Sequence, residues 1–291
     1  MSTTVRLCAV QYPMHSVRSF DEFAAQCRYF AGVAAGYGAD FAVFPEMLTC
    51  QLLSSAPGLA GADATRELAR HTERFLRLFT ELAVETKVNL IGGSHFTTEA
   101  DGRVYNVATL FRRDGSTASQ KKLHITPGET AAWGVSPGSD LAVLDTDRGK
   151  VAIQICYDVE FPEPSRRLTE LGAELLFVPY CTDDRQGHLR VRYCAHARAI
   201  ENQIYVVTAG VTGNLRDVRD MDVHYAQSAV LTPSDFGFAR DGIAAECPVN
   251  DAAGAVAEVD LAALARARRA GTVKNWQDRR TDLYEVRFKP C

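Results

Sequence analysis

The sequence predicts a layered α/β sandwich with mixed sheets, on three observations. Short apolar strands alternate with amphipathic helices from one end of the chain to the other. Several strands are joined by tight Asp-Gly-type turns, which add antiparallel neighbours to strands reached through helical crossovers. With 291 residues, 46% of them hydrophobic and 23% charged, the chain also has material for a substantial buried core.

In chain order, VRLCAVQ alternates as a strand, residues 20 to 35 carry a helical period, and FAVF at 41 to 44 reads as a short core strand. A long helix is expected over 64 to 86, leading into VNLIGG. VYNVATLFRRDGSTASQKK reads as two strands around Asp114-Gly115, and LAVLDTDRGKVAIQIC repeats the design around Asp147-Arg148-Gly149. A helix after Pro162 follows, then the strand ELLFVP, a helix through RVRYCAHARAIEN and the strand QIYVVTAG. Strands near SAVLTP, GIAAECPV and AVAEVD lead to the Arg-rich helix ALARARRA. The polar tail VKNWQDRRTDLYEVRF carries Trp276, Tyr284 and Phe288 and is expected to pack on something, a partner subunit included. Length alone allows two domains, yet no segment reads as a linker, so residues 1–291 are expected to form one domain.

A net charge of -4, with basic pairs interleaved among acids, gives no general attraction for nucleic acid or anionic lipid. The N-terminus enters a strand at once without a leader, and no segment approaches the ~20 apolar residues of a membrane span, so a cytoplasmic location is expected. The eight cysteines contain no C-x-x-C pair, and the histidines form no metal-binding spacing. They read as reduced thiols, with neither a metal nor a cofactor expected.

Cys156 ends the apolar run VAIQI and is followed by Tyr157-Asp158-Val159-Glu160-Phe161-Pro162-Glu163. A thiol where a strand gives way to a helix N-terminus meets converging backbone N–H groups that favour thiolate and hold an oxyanion. The alternative is a small apolar residue ending a core strand. Glu46, just past FAVF-Pro45, lies at the same kind of strand end and suits a general base; the alternative there is a solvated loop acid. In SQKKLHITPGE, strand alternation turns Lys121 and Lys122 to opposite faces, so at most one faces a site.

FPEM around Glu46, KKLHITPGE around Lys122 and ICYDVEFPE around Cys156 resemble, in order, the three signature blocks of the nitrilase superfamily of carbon-nitrogen hydrolases. The resemblance covers essentially the whole chain. It implies an αββα sandwich whose subunits pair into a four-layered dimer, often through the helix after the nucleophile and the C-terminal tail (about 271–291). It also implies a thiol-dependent hydrolase with Glu46 as general base, Lys122 as oxyanion stabiliser, Cys156 as nucleophile and Glu129 as a supporting carboxylate. The Tyr157 N–H would assist at the oxyanion. The expected substrate is a small aliphatic or amino-acid-derived amide. The alternatives are a nitrile, an N-carbamoyl compound, or a non-catalytic scaffold role. Family members place substrate contacts just after the strand ELLFVPY, which here brings Tyr180, Cys181, Thr182, Asp183, Asp184 and Arg185 forward as pocket candidates. As loop residues they equally suit a solvated turn. Arg198 and Glu201, spaced i, i+3, read as structural.

Overall fold

The computed structural model describes residues 3–287. Twelve strands and six helices alternate: β1 (Thr4–Met14), α1 (Phe20–Gly36), β2 (Phe41–Val43), α2 (Gly61–Ala69), α3 (Thr72–Thr86), β3 (Asn89–Thr98), β4 (Val104–Phe111), β5 (Thr117–Lys121), β6 (Leu144–Thr146), β7 (Gly149–Ile153), α4 (Pro162–Glu170), β8 (Leu175–Tyr180), α5 (Arg185–Asn202), β9 (Tyr205–Gly213), β10 (Ala229–Leu231), β11 (Ile243–Glu246), β12 (Ala253–Asp260) and α6 (Leu261–Ala270). One sheet runs β5-β4-β3-β2-β1-β12 and the other β6-β7-β8-β9-β10-β11. They are joined where the end of β1, Tyr12 to Met14, pairs in parallel with Val211 to Gly213 of β9.

The sheets face each other across a core in which Val5, Leu7, Ala9, Phe41 and Val43 meet Val151, Ile153, Leu175 and Phe177. Phe41 and Phe177 touch across the gap with centroids 5.3 Å apart. The opposite face of β1 alternates Cys8, Val10 and Tyr12 into a second core shared with Phe23, Cys27 and Phe30 of α1 and Phe75, Phe79 and Leu82 of α3. On the far side, Leu168 of α4 and Val191, Ala195 and Ala199 of α5 cover the second sheet. The architecture is an αββα sandwich. Its central strands are buried on both faces and therefore read as near-continuous apolar runs.

The helix expected over 64 to 86 is two helices, broken at Arg70 and His71. The Thr72 hydroxyl donates to the Ala69 carbonyl at 2.8 Å, taking an acceptor that a continuous helix would use. The tail folds back on its own subunit: the Trp276 backbone N–H donates to Gln203 Oε1 at 3.2 Å, and the Arg279 guanidinium lies 3.8 Å from the Trp276 ring centroid. Leu283 and Tyr284 of the tail are exposed, and Phe288 lies outside the described residues. Among the described residues, no helix is long and apolar enough to cross a membrane.

Candidate active site

The sequence-predicted groups arrive at one place because each follows the carboxyl end of a strand. Glu46 lies beyond β2, Lys122 directly after β5, Cys156 beyond β7 and Cys181 directly after β8. The two sheets thus deliver their strand ends to a shared cavity of about 710 Å³.

Glu46 is placed by a close backbone crossing. The Ser94 N–H donates to the Pro45 carbonyl, and the Ser94 hydroxyl accepts the Met47 N–H at 3.2 Å. A Cβ on Gly93 would lie 1.9 Å from the Pro45 oxygen, and Gly93 has φ of +67°, so only glycine fits there. Lys122 is held by its own N–H donating to the Asn106 carbonyl at 2.9 Å. Its alternate, Lys121, faces outward over the Tyr105 ring, as strand alternation requires.

Cys156 does not open the helix that begins at Pro162. β7 ends at Ile153, and Cys156, with φ of +50°, starts a separate 3-10 turn over Cys156–Glu160. Phe161 in extended backbone then resets the direction before α4. The turn is secured by buried Asp158, whose carboxylate accepts N–H groups from Ile155 at 3.2 Å, Leu123 at 3.2 Å and His124 at 2.7 Å. One side chain therefore fastens the Cys156 turn to the segment leaving Lys122. Arg198 closes the other end by donating to the Val159 and Glu160 carbonyls, and it pairs with Glu201 at 2.9 Å.

Lys122 Nζ lies 2.8 Å from Glu46 Oε1 and 2.7 Å from Glu129 Oε2, with all three groups buried. The Asn106 amide donates to Glu46 Oε1 at 2.9 Å and to Glu129 Oε1 at 3.4 Å. Glu46 Oε2 accepts the Cys181 N–H at 3.0 Å, and the Cys156 thiol lies 3.7 Å from the Cys181 carbonyl. Glu129 Oε2 also accepts the Thr126 N–H at 3.0 Å, while the Thr126 hydroxyl accepts the Glu129 N–H.

Burial raises the Glu46 carboxyl; Lys122 pulls it down and the Glu129 charge adds to the rise, for a net upward shift. Burial alone would lower the Lys122 ammonium, but Glu46 and Glu129 more than reverse this and hold it well above its usual range. Burial, with the Glu46 charge behind it, pushes the Cys156 thiol well up against the pull of Lys122. A helix N-terminus alone would favour a thiolate at Cys156; in the folded site burial and the Glu46 charge outweigh it and favour the thiol.

Of the six pocket candidates after β8, the structure brings Cys181, Thr182, Asp183 and Asp184 to the cavity wall, together with Tyr157, and leaves two out. Tyr180 is fully buried on the opposite side of the strand, where its hydroxyl meets His188 Nδ1 at 3.2 Å. Arg185 is the exposed first residue of α5, whose capping residue Asp184 accepts the Gly187 N–H. The wall also includes Trp133, Glu160, Arg190, Asp220 and Met221. Asn106 had a readable signal, an amide on the inward face of VYNVATLF. Asp220 and Met221 had none, since they come from an irregular loop. Among the described residues, no cluster of His, Cys, Asp and Glu is arranged to hold a metal ion.

Residues 6–269 match the family model described as carbon-nitrogen hydrolase. The chain belongs to the carbon-nitrogen hydrolase family. It is 51% identical over 285 residues to "Probable hydrolase YhcX" of Bacillus subtilis (strain 168), covering 98% of this chain but only 55% of that protein. It is 29% identical over 296 residues to "Omega-amidase NIT2" of Homo sapiens, covering 99% of each. A carbon-nitrogen hydrolase structure from Helicobacter pylori G27 superposes with a TM-score of 0.82 at 21% identity, covering 97% of each chain. The αββα architecture is therefore that of solved members of the family.

Proposed function

We propose that this carbon-nitrogen hydrolase is an amidase that releases ammonia from a small aliphatic or amino-acid-derived amide through a Cys156 acyl-enzyme. The observation that carries the reading is the convergence of a buried carboxylate, ammonium and thiol from three separate strand ends on one cavity. Three ionisable groups desolvated together are costly, and a core without chemistry would fill the space with apolar side chains.

Glu46, its basicity raised by burial, takes the Cys156 proton as sulfur attacks the amide carbon. The oxyanion of the tetrahedral intermediate is held by the Lys122 ammonium and the Tyr157 N–H. Collapse breaks the C–N bond; the nitrogen takes the proton from Glu46 and leaves as ammonia, with the acyl group on sulfur as a thioester. Water, deprotonated by Glu46, adds to the thioester carbonyl, and the carboxylic acid departs as the proton returns to sulfur. Glu129 keeps Lys122 in place, and Cys181, Thr182, Asp183 and Asp184 line the substrate cavity.

A nitrilase or N-carbamoyl hydrolase uses the same groups and differs in product. The likeness to an omega-amidase over 99% of both chains favours the amide. We also propose that two copies pair through α4 and the tail, where Leu283, Tyr284 and Val286 are exposed; light scattering on a gel-filtration peak reads the mass directly. The activity test is ammonia release over a panel of amides, nitriles and carbamoyl compounds, with Cys156→Ala as control. Release from amides that the variant abolishes supports the reading. Release only from nitriles, or an equally active variant, overturns it.

A further inference from the structure

Two carboxylates share one ammonium in the site, and a neutral side chain supplies the second bridge between them. Lys122 spans Glu46 Oε1 and Glu129 Oε2, while Asn106 Nδ2 spans Glu46 Oε1 and Glu129 Oε1. The ring closes only with the amide nitrogen toward the acids, since the reverse orientation sets its carbonyl against two carboxylate oxygens. That orientation leaves Asn106 Oδ1 buried with no hydrogen-bond partner among the described residues. Asn106 is 1% exposed and shares the inward face of β4 with Ala108 and Leu110. An amide kept in an apolar strand with its oxygen unsatisfied is there for its two N–H bonds.

We infer that Asn106 is a positioning residue that fixes which oxygen of Glu46 receives the thiol proton and keeps that carboxylate ionised beside Glu129. With Lys122 and Asn106 both on Oε1, that oxygen has no free lone pair. Oε2 accepts the Cys181 N–H and, among the described residues, neither Lys122 nor Asn106 reaches it, so it keeps a lone pair for the thiol proton. An N–H donor aimed at a carboxylate favours its charged form. The other ionisable groups facing Glu46 are Lys122, Glu129, Cys156, Cys181 and Cys50. Among the side chains placed against Glu46, Asn106 is thus a donor that does not titrate. Its backbone carbonyl separately anchors the Lys122 N–H, a contact that any residue at 106 retains.

The inference rests on Glu46 acting as base toward Cys156, and its test needs no amide turnover. The rate of Cys156 alkylation by iodoacetamide is followed against pH, with peptide mapping, in the native protein, Asn106→Leu and Asn106→Asp, alongside thermal unfolding. The acidic limb is expected to move up by roughly half to one pH unit in Asn106→Leu, and further in Asn106→Asp, which adds a third carboxylate. An unmoved limb in a folded variant, with any loss confined to melting temperature, overturns the inference. Should the leucine variant not fold, Asn106→Ala, which removes the same two N–H donors without adding charge, carries the same test. Failure of Cys156 to label in the native protein would instead count against the base-and-nucleophile reading itself.

Discussion

Glu46 Oε2 accepts the Cys181 N–H at 3.0 Å, so the carboxylate beyond one sheet is pinned to the first residue beyond a strand of the other. The bond ties the inter-sheet packing to the proposed chemistry: a shift between β2 and β8 would move the proposed base relative to the thiol. Glu46→Gln sets an amide among three donors, Lys122 Nζ, Asn106 Nδ2 and the Cys181 N–H, so at least one loses its acceptor. A loss of roughly 10²–10⁴-fold in kcat is expected. Steady-state ammonia release checks it, and retention within tenfold of the native rate would speak against Glu46 as base.

Lys122→Met leaves Glu46 and Glu129 buried without a counter-charge. Removing one partner of a buried ionic group costs about 3–5 kcal/mol. Chemical denaturation at neutral pH should show that loss, with partial recovery at lower pH as Glu46, whose pKa burial already raises, protonates. An unchanged midpoint would show that the lysine is not their partner in solution.

Asp158→Asn keeps the shape of the clamp but replaces one acceptor oxygen with a donor facing backbone N–H groups of Leu123, His124 and Ile155. Lys122 and Cys156 then lose their shared anchor. We expect kcat to fall by on the order of 10²-fold, as a misplacement near 1 Å does, with KM little changed. A variant that loses only substrate affinity would move Asp158 out of this role.

His95 sits between the hydroxyls of Thr49 and Thr72 at 2.9 Å each and stacks on Phe75. Burial lowers its pKa from 6.5 to about 3. The unfolded chain binds the proton more readily, so the stability His95 contributes is complete above pH 6.5 and drains away as pH falls toward 3. The slope is about 1.4 kcal/mol per pH unit. His95→Gln should flatten the stability profile between pH 6 and pH 4, on the order of that window; an equal slope in both proteins would contradict the assignment.

Strand ends were legible in the sequence because FAVF, VAIQI and ELLFVP are apolar runs cut off by polar residues, and Glu46, Cys156 and Cys181 fall at the cuts. Alternation also separated Lys121 from Lys122. The path of the chain beyond Cys156 was less readable, since Pro162 marks α4 and gives no sign of the 3-10 turn closed by Asp158 and Arg198. Nor did the pattern around 70 to 72 reveal the break at Arg70 and His71, where the Thr72 hydroxyl takes the Ala69 carbonyl. Tyr180 misled because a strand's last residue belongs to one face or the other, and period two turned its ring toward His188. The charge state of Cys156 also depended on burial, which emerges only when both sheets close over the site.

The central claim is that Cys156 carries the acyl group. Acid quenching of the protein mixed with an amide from which it is found to release ammonia, followed by peptide-mapped mass spectrometry, tests it most directly. The expected result is a mass increase on the Cys156 peptide equal to the acyl moiety, absent in Cys156→Ala. An adduct on Cys181 instead, or continued turnover by Cys156→Ala, would contradict the account.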